Sequence, residues 1–192
     1  MTFNSITFLV FFSIVFFLLL ITNIDFKIKK EKVIQIRHII LLAASYVFYG
    51  WWNWKCAFLM LALTAISYWS SLKVDKTNNK FYLSVGIIFP LVILGIFKYY
   101  NFFVDSFCYM IGISKIGGLN IILPVGVSFY TFQSMSYTID VYRKHINCEK
   151  SFIKLALYIA FFPQLVAGPI VKAKEFIYQL YEDRNISWTN VK

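Results

Sequence analysis

Acidic side chains, histidine and cysteine are all scarce in this sequence. Nine Asp and Glu residues stand against 19 Lys and Arg, and charged residues of both signs make up only 15% of the chain. Soluble domains run near 25% charged, so a fully solvated globular surface is excluded. There are two histidines, His38 and His145, and three cysteines, Cys56, Cys108 and Cys148. None has the spacing of a metal or redox motif. Each histidine follows a basic residue, Arg37 or Lys144, and reads as solvated or interfacial. The cysteines read as ordinary small residues. No internal repeat, low-complexity tract or interdomain linker is visible, so residues 1–192 read as a single membrane unit.

Apolar residues fill the chain instead. It is 59% hydrophobic and 20% aromatic, with a mean hydropathy of +0.66. These residues fall in runs of about 20, the length that crosses a bilayer. The fold class is therefore all-α: a polytopic integral membrane protein with about five transmembrane helices and a broken re-entrant segment. The net charge of +10 would suggest nucleic acid in a soluble protein. Here the charges lie between apolar spans and follow the positive-inside rule, so the expected surroundings are membrane lipid and not nucleic acid.

Residues 5–24 are an apolar run with no basic residue before it, which reads as a retained span and not a cleaved leader. Lys27, Lys29, Lys30, Lys32 and Arg37 follow and assign the 25–38 loop to the cytoplasm and the N-terminus to the outside. The second span, about 39–54, ends in Tyr46, Tyr49, Trp51, Trp52 and Trp54. These rings read as a lipid-anchoring belt, with a saccharide platform as the alternative. The third span, about 56–72, follows after a very short turn, and KVDKTNNK (73–80) reads as a polar loop. The fourth, about 81–97, contains Pro90, expected to kink the helix without ending it. Residues 102–113 either extend that helix or lie along the surface. The fifth span, about 121–140, leads to Arg143, Lys144 and Lys150.

Two stretches depart from a lipid-facing pattern. In LPVGVSFYTFQSMSYTIDVYRK (123–144), Gly126, Tyr130, Gln133, Ser136, Tyr137 and Asp140 fall on one helical face. Gln and Asp on one side of a membrane helix imply that this side meets protein or a polar cavity. In AFFPQLVAGPIVK (160–172), the apolar run is broken by Pro163 and again by Gly168 and Pro169, with Gln164 between. Pro163 is expected to stop the helical pattern. A full crossing here would put Lys172, Lys174 and Arg184 on the wrong side, which favours a re-entrant path. Broken backbone at membrane depth needs protein or a polar cavity to satisfy it. KAKEFIYQLYEDR (172–184) is amphipathic and reads as an interfacial helix.

Those two motifs, in that order, closely resemble the membrane-bound O-acyltransferase family, in its bacterial branch around the alginate O-acetyltransferase membrane subunit. SYVFYGWW and FKYYNFF, upstream of the first motif, are also similar to the family's N-terminal half. The resemblance implies transfer of an acyl group, acetyl in this branch, to hydroxyls of a cell-envelope polysaccharide from the cytoplasmic (inner) membrane. The co-substrate would be an acyl thioester or a partner-delivered acyl group, with no bound cofactor and no metal. Partners would be the polysaccharide acceptor and a periplasmic or extracellular acyltransferase.

The catalytic histidine that the resemblance implies lies well downstream of the GPI motif, and neither His38 nor His145 matches it. The chain is expected to be the N-terminal half of such an enzyme, to carry no catalytic residue of its own, to be inactive alone and to need a C-terminal half. Gln133, Ser136, Asp140, Gln164 and Lys172 are the candidates for lining a tunnel, and Pro163, Gly168 and Pro169 for shaping its backbone. Lys172 stands where relatives often carry Arg, which keeps the charge but loses the planar fork. For Gln133 and Ser136 the alternative is interhelical hydrogen bonding. Asp140 could instead pair with Arg143 or cap a helix. Gln164 could satisfy a carbonyl freed by Pro163. A noncatalytic membrane scaffold is the other functional reading. A transporter finds no paired intramembrane charges to support it.

Overall fold

The computed structural model describes residues 5–22, 30–112, 126–168 and 171–182, and these contain helices and connecting turns but no strand. The helices are α1 (Ile6–Ile21), α2 (Lys30–Trp52), α3 (Trp54–Thr77), α4 (Lys80–Leu94), α5 (Tyr100–Ile111), α6 (Val127–Tyr142), α7 (Phe152–Ala160), α8 (Phe162–Ala167) and α9 (Ala173–Tyr181). The chain divides into two compact units, residues 1–61 with 149–192, and residues 62–148.

Among the described residues, three stretches are long and apolar enough to cross a membrane: Lys30–Trp51, Trp54–Thr77 and Lys80–Ile111. α1 and α6 have 16 residues each. That is about 24 Å of helix against a hydrocarbon core of about 30 Å. Residues 121–125, the start of the expected fifth span, lie outside the described residues. Length and composition therefore give three of the expected five spans.

Several boundaries differ from the sequence expectation. α2 starts at Lys30, so the last part of the expected 25–38 loop is helical. Lys, Glu, Gln and Arg are good helix formers, and Glu31 sits in the first turn, where its charge suits the helix dipole. The expected loop 73–80 shrinks to a turn at Asn78 and Asn79. Asn78 takes the left-handed conformation at φ 50°. Asn79 Oδ1 caps α4 by accepting from the Phe81 amide at 2.9 Å. Pro90 lies inside α4 without ending it. A π-helical turn, Gly95–Tyr99, joins α4 to α5, so residues 102–111 extend the fourth helix.

In the first unit α7 is the innermost element. Leu155 through Ala160 are six consecutive residues with no exposed surface. α7 packs on α2 and α9, and α1 and α8 also pack on α2. Phe8, Phe11, Phe48 and Phe162 join α1, α2 and α8 through ring centroids 5.5–5.9 Å apart. Trp51 and Trp54 point outward, as the aromatic belt requires, whereas Tyr49 is buried and belongs to the packed interior.

The second unit is built on small and hydroxyl-bearing residues. Ser67 on α3 donates to the Ser134 carbonyl at 3.2 Å and shares a hydrogen bond with Thr138 at 3.3 Å, both on α6. α4 packs on α6. A Cβ added at Gly86 of α4 would lie 2.6 Å from Ser70 Oγ and 2.8 Å from Thr138 Cγ2, so the missing side chain sets how closely these helices approach.

Gly86→Ala should therefore separate the helices and cost about 1–3 kcal/mol, against a gain of up to about 1 kcal/mol for an uncrowded helix glycine. Gly95, with nothing within 4 Å of an added Cβ, is the control. Thermal unfolding in detergent should place Gly86→Ala clearly below wild type and Gly95→Ala at or near it. Equal shifts would contradict the packing described.

Candidate functional site

The polar stripe of α6 is turned largely inward. Tyr130, Gln133 and Tyr137 are buried, as are Thr131, Ser134 and Thr138, while Phe129 and Phe132 face outward. Gln133 is thus on the protein-facing side, where its position in the sequence placed it. Ser136 is half-buried and donates to the Gln133 carbonyl at 3.0 Å, inside its own helix. Ser134, Thr131 and Thr138 carry more of the inward polar surface than the sequence reading gave them. The Ser134 hydroxyl donates to the Thr131 carbonyl at 2.9 Å, and Thr138 to the Ser134 carbonyl at 3.1 Å. A weaker chain runs from the Tyr137 hydroxyl to Cys148 Sγ at 3.7 Å and on to Ser71 Oγ at 3.8 Å.

Asp140 sits at the end of this stripe. Its carboxylate lies 3.7 Å from His145 Nδ1, with both groups open to solvent. Its carbonyl accepts from the His145 amide at 2.9 Å. The described side-chain contact is with His145 in place of the expected Arg143, because the turn after α6 folds residue 145 back over the helix end.

The broken segment lies in the other unit. The break comes at Phe161, which is extended at φ −60° and ψ 108°. Pro163 does not stop the helix as expected. It falls in the first turn of α8, where a residue without an amide N–H is tolerated. The amide freed at Phe162 donates to Ser45 Oγ of α2 at 3.3 Å. Downstream, Tyr158 OH donates to the Val171 carbonyl at 3.2 Å. Two backbone groups beside the break, the Phe162 amide and the Val171 carbonyl, are therefore engaged by side chains of the same unit, as a break in lipid would require. Gly168 closes α8, its amide donating to the Gln164 carbonyl at 3.2 Å. A Cβ there would meet Gln164 Cα at 3.0 Å, which explains the glycine. Pro169 lies outside the described residues.

Two cavities flank this region. One, of about 410 Å³, is lined by Gln164 with Leu157, Phe161 and Phe176, and by Arg37 and His38 of α2. The other, of about 580 Å³, lies between the start of α2, the start of α7 and the end of α9. His38 borders both. It is 6% exposed, which corrects the solvated or interfacial reading. The reason is the early start of α2, which carries residue 38 two turns into the helix. The signal was present in the sequence: Ile34, His38, Leu41, Ser45 and Phe48 recur at spacings of four and three. Lys172, by contrast, is exposed and lines neither cavity, its carbonyl accepting from the Glu175 and Phe176 amides at the start of α9. Of the five lining candidates, Gln164 and Lys172 lie in one unit, and Gln133, Ser136 and Asp140 in the other.

A polar cluster missed by the sequence reading closes the larger cavity. Glu149 is 5% exposed, and both its oxygens accept from the Tyr181 hydroxyl, at 3.1 and 2.9 Å. Oε1 also accepts from the Ser151 amide at 2.8 Å. Lys154 Nζ lies 3.0 Å from the centroid of the Tyr181 ring. These contacts tie α9 to the entry of α7.

No family model matches the sequence, and no solved structure matches the chain. Several curated relatives do match. The chain is 38% identical over 151 residues to the probable alginate O-acetylase AlgI of Azotobacter vinelandii, covering 74% of this chain and 30% of that protein. It is 39% identical over 151 residues to the protein of the same name from Pseudomonas aeruginosa, covering 74% of this chain and 29% of the relative. It is 32% identical over 180 residues to the peptidoglycan O-acetyltransferase of Helicobacter pylori, covering 79% and 34%. The chain spans about a third of the length of the curated relatives it matches.

Desolvation of its hydroxyl, together with the hydrogen bond and charge of Glu149, pushes the Tyr181 phenol up to about 12, although the residue as a whole is 60% exposed. The folded state thus favours the neutral phenol. Its contribution is complete below the ordinary value near 10 and is lost as pH rises from about 10 to 12. An alkaline absorbance titration of wild type minus Tyr181→Phe should isolate a tyrosine that ionises late in that window. A difference step centred near 10 would remove the Tyr181–Glu149 tie.

Proposed function

From homology to the membrane-bound O-acyltransferase type of protein, whose matched relatives are named for O-acetylation of alginate and peptidoglycan, we propose that this chain is the N-terminal part of a cell-envelope polysaccharide O-acetyltransferase. The observation that carries the proposal is identity of 38–39% over 151 residues to the alginate O-acetylases. The acceptor is a polysaccharide hydroxyl. The donor is an acyl thioester, or an acyl group handed over by a partner protein. The hydroxyl oxygen attacks the acyl carbonyl, the ester C–O bond forms, and the bond to the leaving group breaks. A histidine in the remainder of the protein takes the hydroxyl proton as general base.

In this reading the chain supplies walls and not the reacting group. Gln133 and Gln164 are the residues best suited to touch substrate. Each carries an amide that both donates and accepts. Gln133 lies on the buried face of α6, and Gln164 borders a cavity beside broken backbone. Ser136, Asp140 and Lys172 are weaker candidates, since the first bonds its own helix and the other two are open to solvent. Pro163 and Gly168 shape the path.

The test is acetyl transfer to alginate and to peptidoglycan fragments by membranes containing the full-length protein. Transfer to either polymer is expected. Gln133→Ala and Gln164→Ala should lower the rate roughly tenfold, equivalent to about 1.4 kcal/mol, with unchanged helical content. A full-length protein that assembles with a polysaccharide-modifying complex but supports no transfer would replace this reading with a scaffold.

A further inference from the structure

The larger cavity has two unlike walls, and neither belongs to the acyl-transfer reading. Ile34, Ile39, Ile153 and Leu180 form an apolar side, whereas Gln35, Ser151 and Lys154 offer hydrogen-bond donors. Ile39 and Ile153 are 51% and 37% exposed, so the apolar side continues onto the outer surface of a helix long enough to span the bilayer. The polar side ends at His38, which is buried.

Charge around the opening is predominantly positive. Lys30 and Lys32 are exposed on the first turn of α2, Lys150 is exposed beside the start of α7, and Lys154 stands in the wall. Two carboxylates oppose them. Glu149 accepts from the Tyr181 hydroxyl and the Ser151 amide, and its charge also acts on Lys154. Glu31 is exposed at the edge. Lys154 rests on the face of the Tyr181 ring, which holds its ammonium over the cavity while leaving N–H groups to donate to an oxygen ligand.

A donor-rich recess at the interfacial end of a span, open along an apolar wall, matches an amphiphile with a phosphate head. We propose that this cavity is a headgroup site for one anionic phospholipid, its phosphate held by Lys154 with Gln35 and Ser151, and its acyl chain laid along Ile39 and Ile153. Basic recesses of this kind between helices select anionic headgroups, and a basic residue near the membrane surface is worth about 1 kcal/mol of attraction. The site does not depend on acyl transfer.

The experiment is native mass spectrometry of the full-length protein extracted from membranes, followed by titration with phosphatidylglycerol and with phosphatidylcholine. Wild type should retain one phosphatidylglycerol in preference to phosphatidylcholine. Lys154→Gln should weaken that retention roughly fivefold. Lys154→Arg should keep it, and so should Lys174→Gln, because Lys174 is exposed on α9 and lines neither cavity. Circular dichroism checks that each variant is folded. If Lys154→Gln unfolds, Gln35→Leu replaces it, with the same expected loss. Equal retention of the two lipids, or unchanged retention in the folded variant, overturns the proposal. Displacement of the lipid by millimolar glycerol phosphate at no cost to stability also overturns it, because the occupant would then be a soluble phosphoester.

Discussion

Membrane helices gain little from burying apolar side chains against one another, since lipid tails are as apolar as leucine. What holds them is close approach and hydrogen bonds made away from lipid. The interface of α3, α4 and α6 follows this constraint. Gly86 lets α4 approach Ser70 and Thr138, and Ser67 bridges to the Ser134 carbonyl and Thr138 hydroxyl. The outward surfaces carry Phe129, Phe132 and Trp69, which need nothing from the protein. The polar stripe of α6 is thus first a packing device, and Gln133 is placed by the same inward rotation that places Ser134.

The other unit meets the same constraint by a different route. Its most buried helix, α7, ends abruptly, and the break frees backbone groups that lipid could not satisfy. Ser45 accepts from the freed Phe162 amide, and Tyr158 donates to the Val171 carbonyl. These contacts allow Pro163 and Gly168 to bend the chain beside a cavity without leaving it unsatisfied. Gln164 is held there by the break, and His38 by the packing of α2 against α7. Buried Glu149 is acceptable because its oxygens are engaged by Tyr181 and Ser151, as a buried charge requires.

The relation to the alginate and peptidoglycan O-acetylating proteins is consistent with this division of labour. A catalytic group needs a scaffold that holds broken backbone and polar side chains inside a bilayer, and both units contain such features. None of these features is itself a nucleophile-and-base arrangement. Under the proposed function, Gln133 and Gln164 would orient a carbonyl or hydroxyl, a role for a wall.

The sequence by itself determined the class of fold, because long apolar runs with few charges have one stable form in lipid, the helix. It also determined the inward polarity of α6, the broken segment after α7, and the resemblance carried by the two motifs around them. Its boundaries failed where charge was taken for loop: Lys30 to Arg37 and Lys73 to Thr77 are helical, since long polar side chains can sit on a helix and reach water at its end. Only the tertiary structure decided that His38 is buried, that Glu149 is anchored by a tyrosine 32 residues away, and that Lys172 stands outside the cavity that Gln164 borders. Those outcomes depend on which helix faces meet across long sequence separations, and helical periodicity fixes a face without naming its partner.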